Sequence, residues 1–319
     1  MARVVASARL PAPVAELLGR EVEYVEPEHE LARDELLAAV ATAEGLISLL
    51  TVAVDAELFD AAPKLKVVGN YAVGYDNIDL VEATRRGIVV CNTPDVLTEA
   101  TADMTWALLL AVARRIVEGD ALVRSGRWTG WFPDQHLGAA VHGQTIGIVG
   151  LGRIGQAVAR RARGFDMEIL YAGRRDVPEA GALGASRVEL GELLARSHVV
   201  TLHCPQSSET RHLIDAAALR AMRKDAILLN TARGTIVDEA ALATAVDTCE
   251  IAGAGLDVFE REPAVSSALV ASPRVVLAPH AGSATTTTRR AMGELCARAV
   301  RAVLEGRRPT TVLNPEALP

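Results

Sequence analysis

The stretch Thr145 to Tyr171, TIGIVGLGRIGQAVARRARGFDMEILY, constrains the fold of this chain more than any other. Ile146, Gly147, Ile148 and Val149 form a β-branched and small apolar run that breaks into Gly150-Leu151-Gly152-Arg153-Ile154-Gly155, and helix-favouring residues follow from Gln156 to Arg163. The pattern predicts strand, glycine turn and helix. Each glycine then has a physical reason to be there. Gly150 turns the chain sharply, Gly152 leaves room for a pyrophosphate, and Gly155 lets the helix pack close to the strand. The N–H groups at the helix start face the phosphates. A bare GxGxxG string also arises by chance, but here a strand precedes it, a helix follows, and Met167 to Tyr171 supplies a second strand. The stretch reads as a dinucleotide-binding unit.

A chain of 319 residues, half of them hydrophobic, is long enough for two ordinary domains with substantial cores. The 33 Lys and Arg against 40 Asp and Glu leave a net charge of -7, with no basic block to track a phosphate backbone, so nucleic acid is not an expected partner. Cys91, Cys204, Cys249 and Cys296 stand far apart and match neither CxxC nor zinc spacing, which predicts four buried thiols, a reducing compartment and no metal. The N-terminus has no long apolar region, and the longest apolar run, Trp106 to Val112, is well short of the ~20 residues of a membrane span. The expectation is a soluble, cytoplasmic protein with no membrane partner.

From Arg3 to Pro94, strand-like runs such as RVVASA, GLISLL, LKVVGN and IVVCNTP alternate with helical stretches, which argues for a parallel sheet covered on both faces. Asp95 to Arg115 then reads as a long helix with an almost wholly apolar middle, buried on most sides, between two domains or two subunits. Trp128, Trp131 and Phe132 follow in a Gly-rich loop, readable as a packed loop or a substrate lid. Further strand-like runs begin at His198, Ala226, Glu250 and Arg274, and their polar ends bring His203, Arg233, Asp257, Glu262 and His280 to the crevice of an open parallel sheet. A last helix, from Thr285 to Gly306, lies beyond the dinucleotide unit and is expected to cross back to the first domain.

Arg233 follows a strand and precedes Gly234, so its planar fork suits a substrate carboxylate; a surface salt bridge is the plain alternative. Glu262 and His280 both follow strand ends. A carboxylate touching an imidazole orients its ring and favours its protonated form, the makings of a general acid, although a lone loop histidine is often only structural.

Together GNYAVGYDNID, NTPDVLTEATAD, the glycine stretch, LHCP, LLNTARGTIVDE, GAGLDVFEREP and APHAGSAT resemble the D-isomer-specific 2-hydroxyacid dehydrogenases, in order and over nearly the whole chain. The branch they resemble most is glyoxylate/hydroxypyruvate reductase with its 2-ketogluconate reductase relatives. The resemblance implies an α/β protein of two doubly wound parallel-sheet domains. In it a Rossmann dinucleotide-binding domain, residues 98–286, is inserted in a flavodoxin-like substrate domain, residues 1–97 and 287–319. It implies that Arg233 holds the carboxylate and keto oxygen of a small 2-keto acid, that His280 protonates that oxygen, and that Glu262 keeps His280 protonated and aligned. Glu260 competes with Glu262; the family's catalytic glutamate directly precedes the proline. Backbone N–H groups at Val73 and Gly74 take the other side of the carboxylate. The cofactor is expected on Thr101, the Gly150, Leu151, Gly152, Arg153, Ile154 and Gly155 turn, His203, Cys204, Pro205, Thr231, Ala232, Asp257, His280 and Gly282, and a homodimer is implied.

Cofactor choice falls at the end of the second strand, where NAD enzymes carry an acid for the ribose hydroxyls. Here Ala172 and Gly173 lead to Arg174 and Arg175, which suit a 2'-phosphate and predict NADP(H), with NAD(H) possible should Asp176 turn inward. The loop GRWTGWFPDQHLG departs from animal-type glyoxylate reductases at Asp134-Gln135-His136, which leaves the substrate open. The alternatives are 2-ketogluconate reductase, D-3-phosphoglycerate or D-lactate dehydrogenase using NAD, and a non-enzymatic nucleotide-sensing corepressor.

Overall fold

The computed structural model describes residues 1–318. The chain divides into two compact units, Met1–Leu97 with Ser283–Pro319, and Thr98–Gly282. In the first, β1 (Ala2–Ala6), β2 (Val22–Val25), β3 (Gly45–Ser48), β4 (Val67–Asn70) and β5 (Val89–Cys91) pair in parallel in the order β2-β1-β3-β4-β5. This is the flavodoxin-like order. Every residue of β3, β4 and β5 is buried, which is why these strands read as continuous apolar runs with no polar alternation.

The helix Thr286–Leu304 lies across this sheet, so the last helix does return to the first unit. A Cβ added at Gly45 would stand 3.0 Å from Val300, and one at Gly69 2.9 Å from it, so small residues in β3 and β4 let the helix settle on the strand backbone. Tyr71 Oη donates to the Arg289 carbonyl at 2.6 Å and Cys296 Sγ to the Asn70 carbonyl at 3.4 Å, fixing its register. The expected boundary at 286/287 falls within the first turn of that helix, whereas the units part between Gly282 and Ser283. The reason is local: the Ala281 and Gly282 N–H groups are bound by Asp257 of the second unit.

The second unit holds β6 (Thr145–Val149), β7 (Glu168–Ala172), β8 (Ala185–Arg187), β9 (Val199–Leu202), β10 (Ile227–Asn230), β11 (Gly253–Leu256) and β12 (Val275–Leu277). They form one parallel sheet in the order β12-β11-β10-β9-β6-β7-β8, with the order reversing between β6 and β9. That switch point is where an open α/β sheet leaves a ligand crevice at its carboxyl ends. The sequence carries no apolar signal for β8; Ala185-Ser186-Arg187 becomes a strand by pairing with β7.

The helix Thr98–Ala113 leaves one stripe exposed, Glu99, Asp103 and Ala107, and packs most of the rest on β10, β11 and β12. A Cβ at Gly255 would approach that of Leu108 to 3.0 Å, and one at Gly253 would approach Val112 to 3.1 Å, so glycines in β11 admit the helix. Its polar stripe meets Arg160 and Arg161 through Glu99 and Asp103. The apolar helix is thus accounted for within its own unit. Two expectations fail nearby. The aromatic loop is not packed, since Trp131 is 79% exposed and Trp128 and Phe132 more than half so. Of the four free thiols only Cys91 and Cys296 are buried, while Cys204 is half-buried and Cys249 exposed, in a turn at φ 59° after the helix Glu239–Asp247. Among the described residues no helix is long and apolar enough to cross a membrane, and no cluster of three or more His, Cys, Asp or Glu could hold a metal.

Candidate active site

The glycine turn lies between β6 and the helix Arg153–Arg163. Gly150 has φ 95°, and a Cβ there would lie 2.8 Å from the Cys204 nitrogen at the end of β9, so both angle and space require glycine. A Cβ at Gly155 would strike the Gly150 carbonyl at 2.3 Å. A Cβ added at Gly152 would meet no other part of the chain within 4 Å, so that side of the helix start is open. That start has no side-chain cap and no acid in its first turn, and Arg153 occupies the first position. Helices ordinarily place acids and capping oxygens there, so the N–H groups of a start without a side-chain cap, the helix dipole and Arg153 together suit an anion of pyrophosphate size. Leu151 is buried and Ile154 half-buried beneath the turn.

Across the switch point, burial pushes the His203 pKa down to about 3, so the ring is neutral, with Nε2 2.9 Å from Thr201 Oγ1. Burial likewise pushes the Cys204 thiol up to about 11. The wall formed by His203, Cys204 and Pro205 therefore carries no charge and suits an uncharged ring better than a phosphate. After β10, Thr231 Oγ1 shares a buried hydrogen bond of 2.9 Å with Thr105 Oγ1, one turn along the helix from the buried Thr101.

His280 Nδ1 lies 2.7 Å from Glu262 Oε2, with both side chains roughly 30% exposed, 27% and 30%. The other oxygen of Glu262 accepts from the Phe259 N–H at 3.0 Å. Burial pushes the Glu262 carboxyl up, but the His280 and Phe259 hydrogen bonds and the charges of His280 and Arg233 outweigh it and hold the group below the ordinary carboxylate range. Glu262 is thus ionised at neutral pH, and it engages the imidazole through Nδ1. His280 itself sits at φ 51°, and Asp257 fixes that backbone: its carbonyl accepts from the His280 N–H at 2.8 Å, and its carboxylate oxygens accept from Ala281 and Gly282 at 2.6 and 2.7 Å. Asp257, expected beside the nicotinamide, therefore also shapes the loop that aims His280. Gly282 fits because a Cβ there would come within 3.1 Å of Asp257 Oδ2 and 3.4 Å of Thr101.

Arg233 is placed by Asn230, whose amide donates to the Arg233 carbonyl at 2.8 Å while its oxygen accepts from the Ala232 N–H at 3.0 Å. Next to it, a Cβ on Gly234 would lie 1.9 Å from the Phe259 carbonyl carbon, so the Arg233 loop and the loop carrying Glu262 touch through backbone alone. Sequence reasoning missed both Asn230 and Gly234, although both stand in the NTARG string. Between Glu260 and Glu262 the sequence favours Glu262 only through the family's pattern, and the structure adds a direct contact. Glu260 Oε1 is engaged 2.6 Å from His212 Nε2 and 3.5 Å from Arg211, which removes it from the histidine pair.

At the end of β7, Arg174 and Arg175 are exposed, with Arg174 3.6 Å from Glu209. Asp176 is 85% exposed and paired with Arg187 at 3.0 Å, so it does not turn inward. In the first unit, the carbonyls of Ala72, Val73 and Gly74 accept from the Thr93 N–H, the Asn92 amide and the Asn70 amide at 2.9, 2.7 and 2.7 Å. In a planar trans peptide the following N–H points the opposite way. The N–H groups of Val73, Gly74 and Tyr75 therefore face away from these three donors, an arrangement able to receive a carboxylate.

A family model described as the NAD binding domain of D-isomer specific 2-hydroxyacid dehydrogenases matches residues 106–282. The chain belongs to this family. This dehydrogenase is 53% identical to the glyoxylate reductase of Thermococcus onnurineus over 303 residues, 93% of this chain and 91% of the relative. It is 50% identical to that of Pyrococcus horikoshii, over 93% and 91% of the two chains. Among solved structures, a Thermus thermophilus protein superposes with a TM-score of 0.92 at 46% identity over 98% of this chain and 99% of that one. The NADPH-dependent glyoxylate/hydroxypyruvate reductase of Sinorhizobium meliloti, solved with NADP and malonate, gives 0.86 at 35% identity over 99% and 98%. The dehydrogenase is an NAD(P)-dependent oxidoreductase of two parallel-sheet α/β units.

Proposed function

We propose that this dehydrogenase reduces a small 2-keto acid of the glyoxylate or hydroxypyruvate type to the D-2-hydroxy acid, with NADPH as reductant. The observation that carries the reading is the Glu262–His280 pair, ionised carboxylate against imidazole, with Arg233 on a loop in backbone contact with it. NADPH, when bound, supplies a hydride to the keto carbon. The Gly150–Gly155 turn and Arg153 would hold the pyrophosphate, Thr101, Thr231, Ala232, Asp257 and Gly282 would line the nicotinamide end, and the neutral His203, Cys204 and Pro205 wall would lie against an uncharged part of the dinucleotide. Arg233 holds the substrate carboxylate and keto oxygen by its fork. Because Glu262 occupies Nδ1, His280 delivers its proton from Nε2 to the keto oxygen, and Glu262 stabilises the charged imidazole until that transfer.

Arg174 and Arg175 support NADPH over NADH, since a 2'-phosphate brings about two negative charges that exposed guanidinium groups can bind. The Sinorhizobium reductase, solved with NADP, supports the same choice. A homodimer also fits: the helix Ile116–Arg124 has no buried residue, and it and the following loop expose Ile116, Val117, Val123 and Trp131. So large an apolar face suits a second copy. Light scattering should give twice the 33.7 kDa chain mass; a monomer at micromolar concentration would refute this part. The activity is tested with glyoxylate, hydroxypyruvate, pyruvate and 2-ketogluconate, each with NADPH and NADH. Highest kcat/KM is expected for the first two with NADPH, and equal use of both coenzymes would sink the NADPH assignment.

A further inference from the structure

Arg187 lies on the edge strand β8, paired opposite Tyr171 of β7, and so stands beside the turn that follows β7. Its guanidinium bridges that turn. Nη1 donates to Asp176 Oδ1 at 3.0 Å and Nη2 to the Gly173 carbonyl at 2.9 Å, so one planar fork ties the first and last residues of the run that contains Arg174 and Arg175. Asp176 is the acid nearest in sequence to the position where an NAD enzyme would engage the ribose hydroxyls. Free, it would offer those hydroxyls an acceptor and repel a 2'-phosphate; held by Arg187 it does neither. We propose that Arg187 is a positioning residue that sets dinucleotide preference, holding Asp176 away from the adenosine ribose and the turn in the form that presents Arg174 and Arg175 to a 2'-phosphate. The proposal rests on the NADPH reading above for its direction. A lysine could not replace it, because a single ammonium cannot hold carbonyl and carboxylate in one fixed plane.

The test is calorimetric titration of the enzyme with NADP+ and with NAD+, which needs no turnover, on the parent, Arg187→Met, Arg187→Lys and Arg187→Met/Asp176→Asn, with a thermal melt of each. The ratio of the NAD+ to the NADP+ dissociation constant should fall about fivefold in Arg187→Met, an effect of the size expected for a partly screened charge contact. Arg187→Lys should fall with it. Adding Asp176→Asn should bring the ratio back to within about twofold of the parent, the signature of two residues acting as one unit. An unchanged ratio in Arg187→Met, even with a lowered melting temperature, would make Arg187 only a brace for the sheet edge and overturn the proposal. So would a parental ratio in Arg187→Lys, or no recovery in the double variant. A parent that binds both coenzymes equally would instead overturn the NADPH reading, while the shift between variants would still decide the role of Arg187.

Discussion

The loops after β10, β11 and β12 hold Arg233, Glu262 and His280 through buried backbone, whereas the turn after β7 holds Arg174, Arg175 and Asp176 through exposed charge. At the first end, Asp257 is 1% exposed and takes three backbone N–H groups on its carbonyl and carboxylate, and Gly234 touches Phe259 backbone to backbone. At the second, Arg187 and Glu209 set the geometry from the surface. The difference follows from what each end must do. Proton transfer tolerates little displacement, so its groups are fixed by contacts that cannot rearrange. Binding a doubly charged phosphate needs charge more than exact placement, and exposed charges are exchanged at little cost in stability.

The comparison breaks hardest at Gly234. Gly234→Ala should push the Arg233 and Glu262 loops apart and lower kcat/KM on the order of 100-fold, with a loss of stability of about 1–3 kcal/mol from overpacking, read by keto-acid turnover and urea unfolding. Full activity in a stable Gly234→Ala protein would mean that the two loops are not held by that contact. At the other end, Arg174→Asp should lower the NADPH to NADH ratio of kcat/KM by on the order of tenfold and leave the unfolding midpoint unchanged, because a charged contact to phosphate is lost from an exposed site. A matching loss of stability would erase the contrast between the ends. The smallest effect concerns pH. The Glu262 carboxyl is held below its ordinary range in the folded chain, so its contribution to stability is fully present above that range and is lost as pH falls through the lower folded value. Glu262→Gln should flatten the acid side of the stability profile, measured by thermal melts from neutral to acidic pH; parallel profiles would deny the folded-state pairing.

How much of this was legible in the sequence differs between the same two regions. The glycine turn, the strand ends and the two-unit plan were readable because their signals are local: a short continuous apolar run, a glycine spacing, a polar residue at the end of an apolar run. Glu262 was separable from Glu260 only by resemblance to relatives, since the distinguishing contact, His212 against Glu260, joins residues far apart in the chain. Gly234 against Phe259 and Arg187 against Gly173 are of the same kind. The strand β8 was invisible because pairing with β7, not its own three residues, makes it a strand. Burial of Cys249 was wrongly expected because a thiol's usual preference was applied to a turn residue at positive φ.

The central claim is that His280, aligned by Glu262, supplies the proton for reduction and is not needed to hold the dinucleotide. Comparing the parent with His280→Ala for glyoxylate-dependent NADPH oxidation, and for NADPH affinity by fluorescence titration, tests it directly. The account predicts a fall in kcat of about 100- to 10,000-fold with the dissociation constant for NADPH within about threefold of the parent. Turnover near the parental rate in His280→Ala, with the coenzyme still bound, would contradict it.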